Sequence, residues 1–585
     1  MSTKAAVADL ICRVRRDNDT WLCVDVFDHV AEPYALLGDA PSVGSFVSAT
    51  REGDAVRVVE CLAVAGTARA AVFEIAVKSG LDPRFPPAVM REVSRLVAAP
   101  GVDDRALEDR LDLPLVTIDD ATSRDLDQAV CVERDGEDYV VWYALADAAH
   151  FVRPGSELYA EALRRGASFY LPDLMIPMLP RALSEGIVSL NPDVERRALL
   201  FRIELNRQGA LGGTTVSRAR VRSRAKLSFE GVQRFLDSSD PQGFDDDAIA
   251  TSLRLLHEVG RVRVADAEER DIVHYRRQEV KTHLGPGDGL AFLIGKGLRM
   301  DVERDNEQIS LLCNMEGARI LRDGDRGDDE IHPIYRVHAA PPRDKIAHFE
   351  QFLVALAKSH GLDAKRWTWR QSGKEALSTF LERLPSDGAE GRIAQAIHRQ
   401  AVLVNGRSVF RQEPGAHYGI GAEVYARFSA PMREMVGVFL HQEMWENLGE
   451  PAAPLPSGVK SGEELRDRIV ARANEAKEIQ KHITGDANRL VLDQLLEESR
   501  RTKHALEGTL VGLTPTKAHV LLDAPPIDLK VYLMDVPTPV KVDAGLANLR
   551  DASGAVHASV GDEVRLRVLG RDERRDRWRL DLERA

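Results

Sequence analysis

The sequence predicts a multidomain α+β protein, and three observations carry that expectation. At 585 residues the chain is too long for one hydrophobic core and suggests about four domains. Both ends hold short runs that alternate apolar and polar residues, such as Trp21-Leu22-Cys23-Val24-Asp25-Val26 and the stretch 561–583, which read as small β-rich units. The middle mixes β-branched runs, such as Leu115-Val116-Thr117-Ile118, with helical stripes such as Ile309, Leu312 and Met315, which calls for a sheet flanked by helices.

In chain order, residues 1–66 are expected to form a small N-terminal module, either β-rich or a winged helix-turn-helix. Residues 67–114 read as a helical linker or a helix-turn-helix segment. There Ala71, Ile75 and Ala76 make one stripe, Pro86 or Pro87 opens a second helix, and Asp103 is placed to cap a third. Residues 115–505 hold the central domain. Within it, Gly285-Pro286-Gly287-Asp288-Gly289 reads as a hairpin loop, and Gly449–Gly458, with three prolines, as a connection. Ser461 and Glu464 form a capping box ahead of Leu465, Ile469, Ala473, Ala476, Ile479 and Ile483, and another helix is expected from near Asp486. Residues 506–585 alternate like the strands of a small barrel.

A net charge of −13 argues against a protein that coats nucleic acid over its whole surface, but leaves room for a local basic channel. MSTKAAVADL has no apolar core of signal-peptide length, and no run of about 18 apolar residues occurs, so a cytoplasmic protein without a membrane segment is expected. The five cysteines are scattered and odd in number, which reads as reduced core residues.

Chemistry concentrates in TIDDATSRDLDQA, Thr117 to Ala129. Asp119, Asp125 and Asp127 fall close together after a strand, and carboxylates so crowded must either take up a proton or share a cation. Hard oxygen donors favour Mg2+, with Mn2+ as the alternative. Spacing alone is equally compatible with a solvated acidic loop. The motif resembles the signature of the ribonuclease II/R (RNB) family, which places four aspartates after such a strand. The fourth falls on Gln128, a neutral amide whose oxygen can ligate a metal without adding charge.

The resemblance extends through DYVVWYALADAAHFVRPGSELYAEALRRGASFYLPDLMIPMLPRALSEGIVSLNP, and on to IYRVHAAPPRDKI and GAHYGIGAEVYARFSAPMREMVGVFLH. It implies an RNB-type catalytic domain of mixed sheet and helices with a C-terminal OB-fold barrel. Relatives often begin with two cold-shock barrels, for which residues 1–66 are too few. It also implies a processive 3′ to 5′ exoribonuclease of single-stranded RNA, releasing nucleoside 5′-monophosphates; separately, a monomer is expected. Asp119, Asp125, Asp127 and Gln128 are the implied metal site, and Asp127 the most rate-sensitive carboxylate. Arg433, in Ser429-Ala430-Pro431-Met432-Arg433, stands at the family's catalytic arginine, where a guanidinium fork fits a phosphoryl group. Its bland alternative is an ion pair with Glu434.

Tyr170 matches the tyrosine that stacks the terminal base, and Tyr275 an aromatic that clamps bases from the far side. Glu307 is matched to a ribose contact, and Arg336 and His417 to phosphate contacts, with internal support as the competing reading of Arg336 and a solvated helix face as that of Glu307. Asp147 and His150 read as a structural hydrogen-bonded pair. Gly419 and Gly421 flank a place for close backbone approach. Arginines near the C-terminus and Trp578 are candidates to grip a strand by charge and stacking. Gln128, together with Glu434-Met435-Val436-Gly437 where relatives have a polar Tyr-Xaa-Asp step, motivates the rival reading: a weakened or inactive RNA-binding protein on an RNB scaffold.

Overall fold

The computed structural model describes residues 10–28, 30, 32–238, 246–269, 272, 279–285, 291–297, 300–324 and 331–585. At the N-terminus, strands Leu10–Asp17, Thr20–Asp25, Tyr34–Leu37, Phe46–Glu52 and Ala55–Ala63 close into a barrel. Alternation puts Cys12, Val14, Cys23, Val47 and Val56 inside it. Tyr34–Leu37 runs parallel to Ala55–Ala63 and the other pairings are antiparallel.

Two helices follow. Thr67 caps Ala68–Lys78 by accepting from the Ala70 N–H, and Pro87 opens Pro87–Val97. The third helix expected at Asp103 does not form. Its neighbour Asp104 instead pairs with the buried Arg197 at 3.0 Å, and the chain goes on to lay Glu108–Asp109 beside Ala219–Arg220.

The central domain is a seven-stranded mixed sheet in the order Ala225–Ser228, Val116–Asp119, Gln128–Asp135, Asp138–Ala146, Glu195–Leu205, Leu211–Arg222, Glu108–Asp109. Its apolar face shares one core with helices Asp247–Glu269, Asp301–Gly324 and Met435–Asn447. A single helix, Gly462–Thr502, then spans the molecule, so the break expected near Asp486 is absent. The reason is that the apolar stripe continues unbroken. Leu465, Ile469 and Ala473 join the sheet core, Ala476, Ile483, Ala487 and Val491 bury a separate hairpin, and Leu496 enters the C-terminal core. At its start Ser461 Oγ accepts from the Glu464 N–H at 3.2 Å, while the Glu464 carboxylate reaches back to the Lys460 N–H at 2.9 Å, one residue earlier than a standard capping box.

The C-terminal strands form two sheets. One has five strands in the order Asp528–Tyr532, Lys517–Leu522, Leu506–Thr514, Glu563–Asp572, Arg577–Arg584; the other pairs Val540–Val542, Asn548–Asp551 and Val556–Ser559. Their core is shared with helices Arg343–Ser359, Leu377–Glu382 and Gly388–Val404, so this unit draws on residues well inside 115–505. Trp578 donates its indole N–H to Asp493 on the long helix at 2.7 Å, which ties the ring's polar edge to the protein. Among the described residues no helix is long and apolar enough to cross a membrane.

Candidate active site

The buried Val116, Thr117 and Ile118 lock strand Val116–Asp119 into the sheet, and parallel pairing with the edge strand Ala225–Ser228 sets Asp119 opposite Ser228 at the strand end. Asp119 Oδ1 accepts from the Asp120 N–H at 2.7 Å and from Ser123 Oγ at 2.9 Å, so its carboxylate nucleates the turn that brings the chain back. Asp125 is half-buried, and burial, with the charges of Asp119 and Glu185, raises its pKa against the pull of Arg433. Asp127 is 2% exposed. Its Oδ1 accepts from the Met432 N–H at 3.0 Å and its Oδ2 from Arg433 Nε at 2.5 Å. Burial first, and Asp125 second, push its pKa up to about 6 against the opposing pull of Arg433 and the Met432 N–H.

Gln128 does not face this cluster. Its Oε1 accepts from the Tyr143 hydroxyl and its Nε2 donates to the Ser429 carbonyl at 2.6 Å, so the amide spans the sheet and the loop that carries Arg433. Both polar atoms of the residue expected as the fourth metal ligand therefore already serve as a brace between strand and loop. Asp127 is likewise committed to Arg433 and the Met432 N–H, and among the described residues no three acidic, His or Cys side chains converge as a ready cation cage. Asp119 and Asp125 remain, and among the described residues no hydrogen-bond partner takes the second oxygen of Asp119. That donor set fits the way Mg2+ is commonly held, by one or two carboxylates with substrate phosphate and water completing the shell.

The loop opposite is built from far away in sequence. Asn314, fully buried on helix Asp301–Gly324, accepts from the Phe428 and Ser429 N–H groups at 2.7 and 3.0 Å. The same side chain donates to Ser429 Oγ at 2.9 Å and to the Tyr425 hydroxyl at 3.2 Å, so it fixes the turn leading to Arg433. Glu434 pairs with Arg427 at 3.2 Å, while the acid that holds Arg433 is Asp127, so the bland pairing of Arg433 with Glu434 is not what forms. Of the departure at residues 435–437, only Gly437 has a packing counterpart, and nothing in the structure explains Met435 and Val436. Helix Met435–Asn447 starts against its own preceding turn, where a Cβ on Gly437 would sit 2.8 Å from Pro431 Cα and 3.1 Å from the Ala430 carbonyl. Only glycine fits there without a backbone shift.

Tyr170 lies on the hairpin Phe169–Leu171/Leu174–Ile176, with its neighbours Phe169 and Leu171 buried and the tyrosine itself 45% exposed. Its hydroxyl lies beside the Arg433 guanidinium. The two segments are stitched together by Ser168 N–H to the Arg433 carbonyl and Met435 N–H to the Gly166 carbonyl, each 2.9 Å. Asp119, Asp125, Asp127, Arg433 and Tyr170 therefore share one cleft.

Other expected contacts go elsewhere. Arg336 donates to Ser408 Oγ at 2.9 Å and lies over the Phe410 ring, an internal support role. His417 packs against His338 and Tyr425, and burial with the charges of its neighbours pushes its pKa down to about 4, so it is neutral near pH 7 and brings no positive charge to a phosphate. The close approach at Gly419 is to His338, whose Nδ1 accepts the Gly419 N–H at 3.0 Å. Glu307 is exposed on the helix that carries Asn314. Asp147 accepts from Arg197 Nε at 3.1 Å and caps the His150 N–H, a buried structural role. Tyr275 and residues 286–289 lie outside the described residues.

The fold and cleft together define an RNB-type architecture, a mixed sheet presenting carboxylates beneath a guanidinium and an aromatic, flanked by β-rich end domains. A family model described as the RNB domain matches residues 107–450, more than half of the chain, and the chain belongs to that family. It is 28% identical over 374 residues to ribonuclease R of Vibrio cholerae serotype O1, a match covering 63% of this chain and 43% of that protein. The chain thus spans less than half the length of that relative. A solved structure of Mycoplasma genitalium RNase R in complex with ribose methylated single-stranded RNA has the same fold, with TM-score 0.78, 18% identity, and coverage of 98% of this chain and 90% of that one. The fold is also that of yeast Ssd1, a pseudonuclease, with TM-score 0.62, 14% identity, and coverage of 98% and 69%.

Proposed function

We propose that this chain is a processive 3′ to 5′ exoribonuclease that hydrolyses single-stranded RNA to nucleoside 5′-monophosphates. The observation that carries the reading is the convergence of Asp119, Asp125 and Asp127 with Arg433 and Tyr170 in one cleft. Asp119 and Asp125 would hold Mg2+, or Mn2+ in its place. Such an ion, when bound, supplies a Lewis acid and lowers the pKa of a water molecule.

The protein's own side chains do the rest. The exposed Tyr170 ring offers a face on which the terminal base stacks. Arg433, 34% exposed, turns its fork toward charge growing on a phosphoryl oxygen. Asp127 orients that fork through Nε and keeps it charged: burial opposes the cation, but Asp127, Tyr170 and Asp125 hold its pKa above the ordinary arginine value. The Met432 N–H and Asn314 keep the loop from swinging away when RNA enters.

Incubation of 5′-labelled single-stranded RNA with the protein, with and without a chelator, tests the proposal. Full-length RNA that gives way to a short 5′-labelled end product with few intermediates, and persists when chelator is present, is expected. RNA left intact under both conditions would instead favour the rival, an RNA-binding protein without activity. The engagement of Gln128 with Tyr143 and Ser429, where the family's fourth aspartate would stand, is the feature that favours that rival.

A further inference from the structure

We infer that Gln480 is a positioning residue that sets the Tyr170 platform by acting as a one-residue third strand of its hairpin. The inference rests on the reading of Tyr170 as the surface that stacks the terminal base. Tyr170 pairs across the hairpin with Met175, and the flanking Phe169 and Leu171 face into the core that contains Ile483, Ala487 and Val491 of the long helix. Both backbone polar groups of Tyr170 are taken by one side chain from that helix. Gln480 Oε1 accepts from the Tyr170 N–H at 2.9 Å, and Gln480 Nε2 donates to the Tyr170 carbonyl at 2.9 Å.

The amide has only one workable orientation. Thr484 Oγ1 spends its own proton on the Gln480 carbonyl at 2.8 Å, so it can only accept from the Gln480 side chain, which it does from Nε2 at 3.1 Å. That bond and the Tyr170 carbonyl both require nitrogen at the same position. Glutamate offers acceptors alone, asparagine is one methylene short, and an apolar side chain offers neither function. The hairpin is therefore clamped from two directions: the Arg433 segment bonds it at Ser168, and Gln480 bonds it at Tyr170. Ring and guanidinium are held in register because one clamp fixes Tyr170 within the short strand and the other fixes Ser168 just ahead of it.

Gln480→Leu and Gln480→Glu in the full chain, beside Tyr170→Ala, test this with two readouts. One is hydrogen exchange at the Tyr170 amide without RNA. The other is quenching of a 2-aminopurine at the 3′ end of single-stranded RNA held intact by chelator. Loss of the N–H bond in Gln480→Leu is expected to speed Tyr170 exchange about tenfold. The same variant should lose most of the quench while overall RNA affinity stays within about threefold. Gln480→Glu keeps the acceptor, so it should retain exchange protection and lose only part of the quench. Unchanged exchange in Gln480→Leu, or faster exchange with the wild-type quench retained, overturns the inference. If wild type and Tyr170→Ala quench alike, the stacking role of Tyr170 fails, and the link to Gln480 is then decided by the exchange rates alone.

Discussion

The two walls of the cleft are built by opposite strategies. The acidic wall is local: a strand end, a turn closed by Asp119 on Asp120 and Ser123, and a return to the next strand, all within Thr117 to Ala129. The facing wall is assembled at long range. Arg433 meets a carboxylate 306 residues earlier, its loop hangs on Asn314 more than a hundred residues before it, and the tyrosine beside it is bonded to a glutamine 310 residues later. Local turn chemistry shapes the loop that carries the carboxylates, which Ser189, Lys226 and the pairing of Asp119 with Ser228 then hold, whereas the cation and the aromatic arrive only when distant helices have packed. The Asp127–Arg433 pair is where the two walls meet.

The sharpest way to break that comparison is at the meeting point. Asp127→Asn should lower nucleotide release on the order of 10³-fold while RNA affinity survives, read by single-turnover cleavage beside filter binding. Equal loss of both would mean that the pair serves folding. Arg433→Lys keeps the charge but replaces a planar fork by a point, and a loss of about 10²-fold in the same assay is expected. A smaller loss would place the work of the cation in charge alone. Tyr170→Ala should weaken capture of the 3′ end about tenfold, seen as a raised KM on short RNA.

Stability measurements probe the struts. Gln128→Leu removes the donor to the Ser429 carbonyl and leaves the Tyr143 hydroxyl only Ser310, with an expected cost of about 1–3 kcal/mol in denaturant unfolding, and the Mg2+ concentration for half-maximal rate should not move. A large rise in that concentration would restore Gln128 as a ligand. Glu443 lies on the helix that follows Arg433, and burial first, with Glu446, pushes its pKa from 4.5 up to about 8. A folded pKa above the unfolded one gives stability that is full below about pH 4.5 and lost as pH rises through about 8. Glu443→Gln should therefore remove part of the fall in denaturation midpoint between pH 5 and 8, the smallest of these effects.

The sequence alone determined the mixed α+β class, the strand that delivers Asp119, the carboxylates at 125 and 127, and the helix from Ser461, because periodicity and turn chemistry act over a few residues. Asn314 left a trace there as well, a polar side chain on an apolar helix face. Gln480 left none, since a glutamine on a long amphipathic helix reads as surface. Only the tertiary structure decided that Asp127 holds Arg433, that Gln128 braces Tyr143 and Ser429, and that His417 packs against His338 and Tyr425. It also decided that one helix joins three cores and that helices 343–404 belong with the C-terminal strands. The reason is physical: which partner a buried polar group takes depends on what packing brings within hydrogen-bond reach, and leaving it unpaired costs too much for sequence neighbours to have the final say.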